Sequence, residues 1–201
     1  MRKIFSAAIP LAVILISACG GHQEQAPAQP TALNFDGAVK AAESKLIWKG
    51  EMLGIKYHEG TVALTDGKLT IKDGALAGGM FNIDMKSMVA TDANYDAASG
   101  YTSEKLIGHL GSADFFAVDS FPTSSFTITS VTGNTAKGNL TVRGRTNEET
   151  VNEIAIDTTG GQITVSGNVV FNRQKYGVAW ASPMKDMVLS DDITIKVALK
   201  L

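Results

Sequence analysis

The sequence has 201 residues and contains a single cysteine, Cys19. Without a second cysteine, no disulfide can form within the chain, so an oxidising compartment would add nothing to the stability of the fold. The folded protein must therefore be held together by a packed core.

The chain also lacks any cluster of lysine and arginine. It carries 18 basic and 20 acidic side chains, and loss of residues 1–18 would remove Arg2 and Lys3 and leave a formal charge of 16 − 20 = −4. A protein that binds a phosphate backbone presents a basic face. The composition therefore argues against a nucleic-acid partner.

One long apolar run is present, at the amino terminus. It extends from Ile4 to Ile16, follows two positive charges and precedes the small residues Ser17 and Ala18. This order is typical of an export signal. The run is shorter than the about 20 residues that a membrane-spanning helix needs, and Pro10 interrupts it. We therefore expect residues 1–18 to be a signal that is removed.

The end of this segment, Ile16-Ser17-Ala18-Cys19, resembles the lipobox of bacterial lipoproteins. The resemblance implies a diacylglycerol on the Cys19 sulfur and a further acyl chain on the new amino terminus, and several chains anchor a protein stably. The alternative is an ordinary signal peptide cleaved nearby. Residues 19–34 have the Gly, Pro and Gln content of a flexible tether. We expect a lipid-anchored protein of the bacterial cell envelope that faces the periplasm.

Apolar and polar residues alternate over most of the segment 35–201. The pattern is clearest from Ile193 to Leu201 and from Ile163 to Phe171, and a period of two indicates strands with one buried face. Asp66-Gly67, between two such runs, predicts a hairpin turn. Further strands are expected at 44–49, 80–88, 125–131, 139–144 and 154–157, with turns at 72–74, 133–134 and 159–161.

These strands and turns suggest one all-β domain. Ser103 to Leu110 alone looks helical, within a longer interruption of the strand pattern. Many antiparallel strands in one domain either stack into a sandwich or close into a barrel, and closure removes the exposed edges. We therefore predict an eight-stranded antiparallel β-barrel over residues 35–201 with one short helix. A barrel of this size holds either packed side chains or one small ligand.

The segment from His109 to Phe126 combines four phenylalanines with polar groups. As a binding site, the phenylalanines would wall an apolar pocket with His109 and Asp114 at its mouth. As a structural element, they would plug one end of the barrel, since large apolar side chains are usually core. The two interpretations overlap, because a lid over an apolar cavity belongs to both the core and the site.

Several short motifs follow one another between residues 42 and 201. They are Ile-Trp-Lys-Gly at 47–50, Gly-Gly-Met-Phe-Asn-Ile-Asp at 78–84, His-Leu-Gly-Ser-Ala-Asp-Phe-Phe-Ala-Val at 109–118 with Phe-Pro at 121–122, Gly-Asn-Leu-Thr-Val-Arg-Gly at 138–144, and Asn-Arg-Gln-Lys-Tyr-Gly at 172–177. In this order they resemble the motifs of the YceI-like, or polyisoprenoid-binding, proteins. The resemblance implies a lipocalin-like barrel, usually dimeric, whose hydrophobic cavity holds a long isoprenoid or similar amphiphile and which catalyses no reaction.

The sequence departs from the family pattern at three positions. Gly111 stands where a lysine is common, Ala117 where an aspartate is common, and Asn172 where an aspartate often precedes the arginine. These differences affect polar groups near the mouth of the implied cavity, so they leave the preferred head group open.

An apolar cargo needs few polar contacts, because each buried methylene contributes about 0.8 kcal/mol. An isoprenoid, a quinone precursor or a fatty amide would fit this description. For each candidate residue the alternative is ordinary core packing, and Arg173 has a second alternative, an ion pair with Asp186, Asp191 or Asp192. The candidate ligand-binding residues are Trp48, Phe81, Ile83, Met85, Leu106, His109, Phe115, Phe116, Phe126, Ile128, Phe171, Arg173, Tyr176, Trp180 and Met187.

Other functions find weaker support. His58 and His109 have no defined ligand spacing, so hydrogen bonding is the better interpretation and no metal or cofactor is expected. Ser182-x-x-Lys185 fits a serine hydrolase pattern, but here the serine precedes a proline in a β-rich chain without the partner motifs. The remaining alternative is a lipid-anchored interaction module with a filled barrel.

Overall fold

The computed structural model describes residues 32–53, 56–181 and 188–201. Ala32–Leu201 form one compact unit that contains every strand the structure describes and has its own hydrophobic core, so we expect this part of the chain to fold by itself. Within the described residues, no helix has the length and apolar character to cross a membrane. The predictions for Cys19, Ser182, Lys185 and Met187 concern positions outside the described residues.

The described residues form nine strands and one α-helix, besides short 3₁₀ turns. Eight of the strands overlap the segments predicted from alternation, although several extend further than predicted, and β1 was not predicted. In chain order the elements are β1 (Phe35–Ala38), β2 (Lys45–Met52), β3 (Lys56–Lys72), β4 (Ala75–Ala90), α1 (Ser103–Gly111), β5 (Thr123–Thr132), β6 (Thr135–Val142), β7 (Arg145–Asp157), β8 (Thr164–Asn172) and β9 (Leu189–Lys200).

Eight of these strands close into a barrel. All pairs are antiparallel, in the order β3-β2-β9-β8-β7-β6-β5-β4, and β4 pairs back onto β3. The short strand β1 is additional and pairs with Lys68–Ile71 of β3, beyond the point where β2 ends its pairing at Val62. The predicted eight-stranded antiparallel barrel is therefore confirmed, and β1 covers an edge that β2 leaves open.

The predicted hairpin at Asp66-Gly67 is wrong, because β3 continues through both residues. The register against β4 shifts between Leu64 and Asp66, which is a β-bulge rather than a turn. A Cβ on Gly67 would lie 2.6 Å from the Phe81 ring, so the glycine makes room for that ring. At this position Asp66 follows a β-bulge, and Gly67 allows the Phe81 ring to pack closely against the backbone of β3.

Two hairpins use turns with positive φ at both central residues. Asp73 and Gly74 join β3 to β4 with φ of 51° and 80°, and Arg143 and Gly144 join β6 to β7 with φ of 50° and 70°. Such turns match the right-handed twist of the flanking strands. The predicted turn at 72–74 is confirmed, whereas the predicted strand 139–144 ends at Val142 because the last two residues form the turn.

The predicted helix is also confirmed and lies between β4 and β5. The Thr102 hydroxyl caps its amino end by accepting a hydrogen bond from the Lys105 amide at 3.4 Å. The helix packs against β4 at one end of the barrel. After it, Phe115 and Phe116 turn inward and are 3% and 9% exposed. The insertion therefore covers the end of the barrel where β4 stops and β5 starts.

Candidate ligand-binding cavity

The barrel encloses a cavity of about 220 Å³. Inward-facing residues from all eight closing strands line it, together with residues of α1 and of the segment after it. An apolar cavity of about 150 Å³ is already large enough to take up benzene. The lumen is thus a hollow space with room for a guest.

The cavity is long as well as apolar. On β3 its lining extends from His58 to Leu69, and 69 − 58 = 11 residue steps. At about 3.3 Å per residue and a strand tilt of about 40°, these steps cover roughly 28 Å along the barrel axis. A modest volume spread over this length suits a chain-like ligand better than a compact one.

The wall of the cavity has very little polar character. Among the described residues, no aspartate, glutamate, lysine or arginine lines it, and the polar side chains that appear are His58, Ser124 and Ser166. Ser166 lies between the buried residues Val165 and Gly167 on β8, so its side chain faces outward and its backbone contributes to the wall. Two polar side chains, those of His58 and Ser124, therefore remain at the cavity surface.

Most of the residues proposed from sequence line the cavity. Their contact with a ligand stays a prediction, since core packing and cavity lining coincide at these positions. Those that the structure brings together around the lumen are Trp48, Phe81, Ile83, Met85, Leu106, Phe115, Phe116, Phe126, Ile128 and Phe171.

His109 and Trp180 pack against the lid and do not line the cavity. The His109 ring stands edge-on to Trp180, with centroids 4.8 Å apart, and to Phe115 at 5.5 Å. Phe115 in turn meets Phe116 edge-on at 5.1 Å. His109 and Trp180 thus form an aromatic layer against Phe115, whereas Phe115 and Phe116 themselves reach the lumen. Phe115 and Phe116 thus lie where both interpretations of this segment expect them, whereas Phe121 is 36% exposed and does not line the lumen.

Arg173 is placed outside the cavity and braces the chain after β8. Its side chain is 2% exposed, and burial lowers its pKa while the Asp191 carboxylate opposes that shift. The guanidinium donates to the carbonyls of Val178, Trp180 and Ser190 at 2.7, 2.8 and 3.0 Å and to Asp191 Oδ1 at 2.9 Å. The N–H groups of the guanidinium are therefore bonded to acceptors within the protein. This favours the ion-pair alternative for Arg173 over contact with the head group of a ligand.

Tyr176 is also outside the cavity and is fully buried. Its hydroxyl donates to Glu149 Oε1 at 3.0 Å, and its ring lies edge-on to Phe171 at 5.3 Å. Burial and the neighbouring Glu149 carboxylate raise the pKa of Tyr176. Tyr176 therefore stabilises the turn after β8 from a position outside the lumen. Its aromatic neighbour Phe171 lines the lumen.

A polar cluster surrounds His58 and confirms the hydrogen-bonding role expected for it, although its partners were not predicted from sequence. Its Nδ1 lies 3.2 Å from both Asp92 carboxylate oxygens, and its Nε2 lies 2.6 Å from the Tyr101 hydroxyl. The Asp92 carboxylate also accepts from the Tyr95 hydroxyl at 3.0 Å and from the Glu59 amide at 2.9 Å. Because Nδ1 faces a carboxylate it carries the proton, so Nε2 accepts from Tyr101. Both ring nitrogens of His58 are thus satisfied within the protein.

The environment of this cluster holds Asp92 ionised. Burial raises the pKa of Asp92, but hydrogen bonds from the Glu59 and Asn94 amides and from Tyr95 outweigh it, so the pKa lies below its ordinary value. Burial and Asp92 raise the pKa of Tyr101. Within the part of the chain that the structure describes, no three His, Cys, Asp or Glu side chains form a candidate metal site. The cluster is therefore an interlocked hydrogen-bond network beside the lumen.

The sequence of the barrel matches a known family model. The model describes a YceI-like domain and aligns with residues 38–201. This chain belongs to the YceI-like family. A comparison with curated proteins finds no match. Family membership agrees with the closed barrel and with the order of the motifs along the chain.

Solved structures of two bacterial proteins share this fold. BcnA from Burkholderia cenocepacia superposes with a TM-score of 0.63 at 20% identity, covering 81% of this chain and 99% of that one. The Campylobacter jejuni YCEI protein superposes with a TM-score of 0.52 at 17% identity, covering 75% of this chain and 88% of that one. At these identities the likeness establishes the fold, and the ligand must be argued from the cavity itself.

Proposed function

We propose that this protein binds a long apolar amphiphile, such as an isoprenoid, a quinone precursor or a fatty amide, in the lumen of its barrel. The observation that carries the proposal is the hollow, elongated and almost entirely apolar cavity. Its wall offers hydrocarbon contacts along roughly 28 Å of the barrel axis. A ligand made mostly of hydrocarbon chain matches both the length and the chemistry of this space.

Apolar contact alone supplies enough free energy for such binding. Burying about ten methylene groups contributes about 8 kcal/mol, and about twenty contribute about 16 kcal/mol. Association costs at least about 4 kcal/mol in lost freedom of motion. A long chain therefore binds without a charged clamp, which agrees with a wall that contains no aspartate, glutamate, lysine or arginine among the described residues.

We further propose that the protein acts as a carrier and not as an enzyme. Of the two polar side chains at the cavity wall, His58 is not available as a general base, since Tyr101 meets the His58 nitrogen that a serine nucleophile would need. The hydrolase pattern at Ser182 and Lys185 lies outside the described residues, so no catalytic geometry supports it. The alternative of an interaction module with a filled barrel is disfavoured by the hollow lumen.

The proposed location is the bacterial cell envelope, with the barrel tethered through a lipidated Cys19. The lipobox-like sequence before Cys19 and the tether-like composition of residues 19–34 support this location. A carrier of apolar cargo gains from such a tether, because it keeps the barrel close to the membrane in which the cargo dissolves.

A cavity-filling substitution tests the proposed binding site. Met85 on β4 lines the lumen, whereas Met80 on the same strand is 54% exposed. Met85→Trp is expected to place an indole in the lumen and abolish uptake of the apolar fluorophore N-phenyl-1-naphthylamine by residues 32–201, while Met80→Trp leaves uptake unchanged. Circular dichroism would verify that both variants fold. Undiminished uptake by folded Met85→Trp protein would refute the site. Ala136 on β6 also lines the lumen and is 1% exposed, so Ala136→Leu provides a second filling variant if Met85→Trp does not fold.

A further inference from the structure

Ser124 is the second residue of β5, directly after the lid segment. It pairs with Ile83 of β4 and faces the same side of the strand as Phe126 and Ile128, which line the lumen. Ser124 is 5% exposed and itself lines the cavity. Its Oγ is fully buried and has no hydrogen-bond partner among the described residues. A hydroxyl with unused bonding capacity therefore lies within the cavity wall, and rotation about the Cα–Cβ bond of Ser124 would turn it towards the lumen.

An unpaired buried hydroxyl is unusual in a folded protein. The large majority of buried side-chain polar atoms have a partner, because leaving one unpaired costs more than a typical hydrogen bond contributes. Ser124 gains nothing from its hydroxyl within the described structure, and an alanine there would pack without this cost. The hydroxyl becomes favourable when a group that enters the cavity bonds to it.

The surroundings of Ser124 limit the chemistry of that group. No lysine or arginine among the described residues lines the lumen, so a carboxylate or phosphate would be buried without a counter-charge. His58, the other polar side chain at the wall, already bonds to Asp92 and Tyr101. A single hydroxyl, which both donates and accepts, suits one uncharged oxygen-bearing group.

We propose that Ser124 is the polar recognition point of the cavity and binds an uncharged hydroxyl, carbonyl or amide group of a long-chain ligand. This inference rests on the proposed function and names the class of ligand. Because β5 starts at the lid, the polar end of the ligand lies near Phe115 and Phe116. The hydrocarbon chain then extends towards the opposite end of the barrel, where Leu69 and Leu76 line the lumen.

The test compares three probes of equal chain length: dodecan-1-ol, dodecane and dodecanoate. Each displaces N-phenyl-1-naphthylamine from residues 32–201 in a fluorescence titration. The unsubstituted protein is expected to bind dodecan-1-ol more tightly than dodecanoate. Ser124→Ala is expected to weaken dodecan-1-ol binding about five- to tenfold, which is the effect of losing one hydrogen bond, and to leave dodecane binding unchanged.

Two further variants make the comparison specific. Ser124→Thr keeps the hydroxyl and is expected to retain the preference for dodecan-1-ol. Ser125→Ala removes a hydroxyl from the neighbouring position, which faces outward, and is expected to change nothing. Because Ser124→Ala removes an unpaired buried hydroxyl, its Tm without ligand is expected to stay the same or to rise by up to about 4 °C.

These measurements distinguish a failure of the Ser124 inference from a failure of the proposed function. If Ser124→Ala weakens dodecane and dodecan-1-ol equally, or weakens neither, Ser124 does not recognise a polar group. Dodecanoate binding as tightly as dodecan-1-ol would refute the restriction to uncharged groups, and a lowered Tm of Ser124→Ala would show that the hydroxyl has a partner within the protein. If the unsubstituted protein binds none of the probes, the proposed function fails, and this inference fails with it.

Discussion

Replacing Arg173 by methionine separates the two roles that its sequence position allows. In the structure the guanidinium is 2% exposed and bonds to three backbone carbonyls and to the Asp191 carboxylate. Methionine keeps much of the apolar volume but none of the donors. If Arg173 is a structural brace, the substitution lowers the stability of the fold. If it binds a head group, the substitution lowers ligand affinity instead.

The size of the stability loss follows from the groups left behind. Arg173→Met leaves the carbonyls of Val178, Trp180 and Ser190 without this donor, and each unsatisfied buried group costs about 1–3 kcal/mol. The Asp191 side chain is 42% exposed, so loss of its ion pair with Arg173 adds less than about 1 kcal/mol to this cost. We therefore expect the free energy of unfolding to fall by about 3–5 kcal/mol. With an m-value of about 2 kcal/mol/M, the urea midpoint would fall by roughly 1.5–2.5 M.

The assay is urea unfolding of residues 32–201 followed by circular dichroism. Lys137→Met is the matched control, because the Lys137–Glu148 ion pair has both side chains 56% exposed and such pairs contribute less than about 1 kcal/mol. Fluorophore uptake by the folded Arg173→Met protein is expected to equal that of the unsubstituted protein. A loss of stability no larger than that of Lys137→Met, or a specific loss of uptake, would refute the brace.

Two further predictions concern the tether and the cluster beside the lumen. Cys19→Ser in the full chain is expected to move the protein from the membrane fraction to the soluble fraction, as immunoblotting of separated fractions would show; continued membrane association would contradict lipidation. Asp92 has a lowered pKa in the folded protein, so it stabilises the fold above its unfolded pKa of about 3.9, and this contribution is lost as the pH falls through the folded value. The difference in unfolding free energy between the unsubstituted protein and Asp92→Asn should therefore be greatest above about pH 5 and shrink below about pH 4. A difference that is constant with pH would contradict this account of Asp92.

The barrel was predictable because most strands keep one apolar face. Residues from Ile193 to Leu201 alternate throughout, and β9 follows that pattern. β7 was recognised only at residues 154–157, because its first half contains the consecutive acids Glu148 and Glu149. The structure buries Glu149 at 8% exposure and pairs it with Tyr176, so a charged residue there occupies a buried position. Alternation of hydrophobicity cannot reveal a strand whose buried acid is paired by a distant residue.

Only the apolar part of the candidate site was predictable from the sequence, because alternation of hydrophobicity does not locate polar groups that are paired by distant residues. Large apolar residues on strands face the lumen, so the pattern that locates the core also locates the cavity wall. The cluster around His58 depends on pairs far apart in sequence, since His58 is 34 residues from Asp92 and 43 from Tyr101. Ser124 carries a weak local signal, a serine in phase with Phe126 and Ile128, which only the closed barrel identifies as a polar group in the lumen.

The most direct test of a lipid-binding lumen is to identify what the protein carries. Residues 32–201 would be purified from bacteria without detergent, extracted with organic solvent and analysed by mass spectrometry, alongside the folded Met85→Trp variant. The account predicts a stoichiometric long-chain, uncharged amphiphile from the unsubstituted protein and little or none from the variant. An extract free of lipid, or equal amounts of lipid from both proteins, would contradict it.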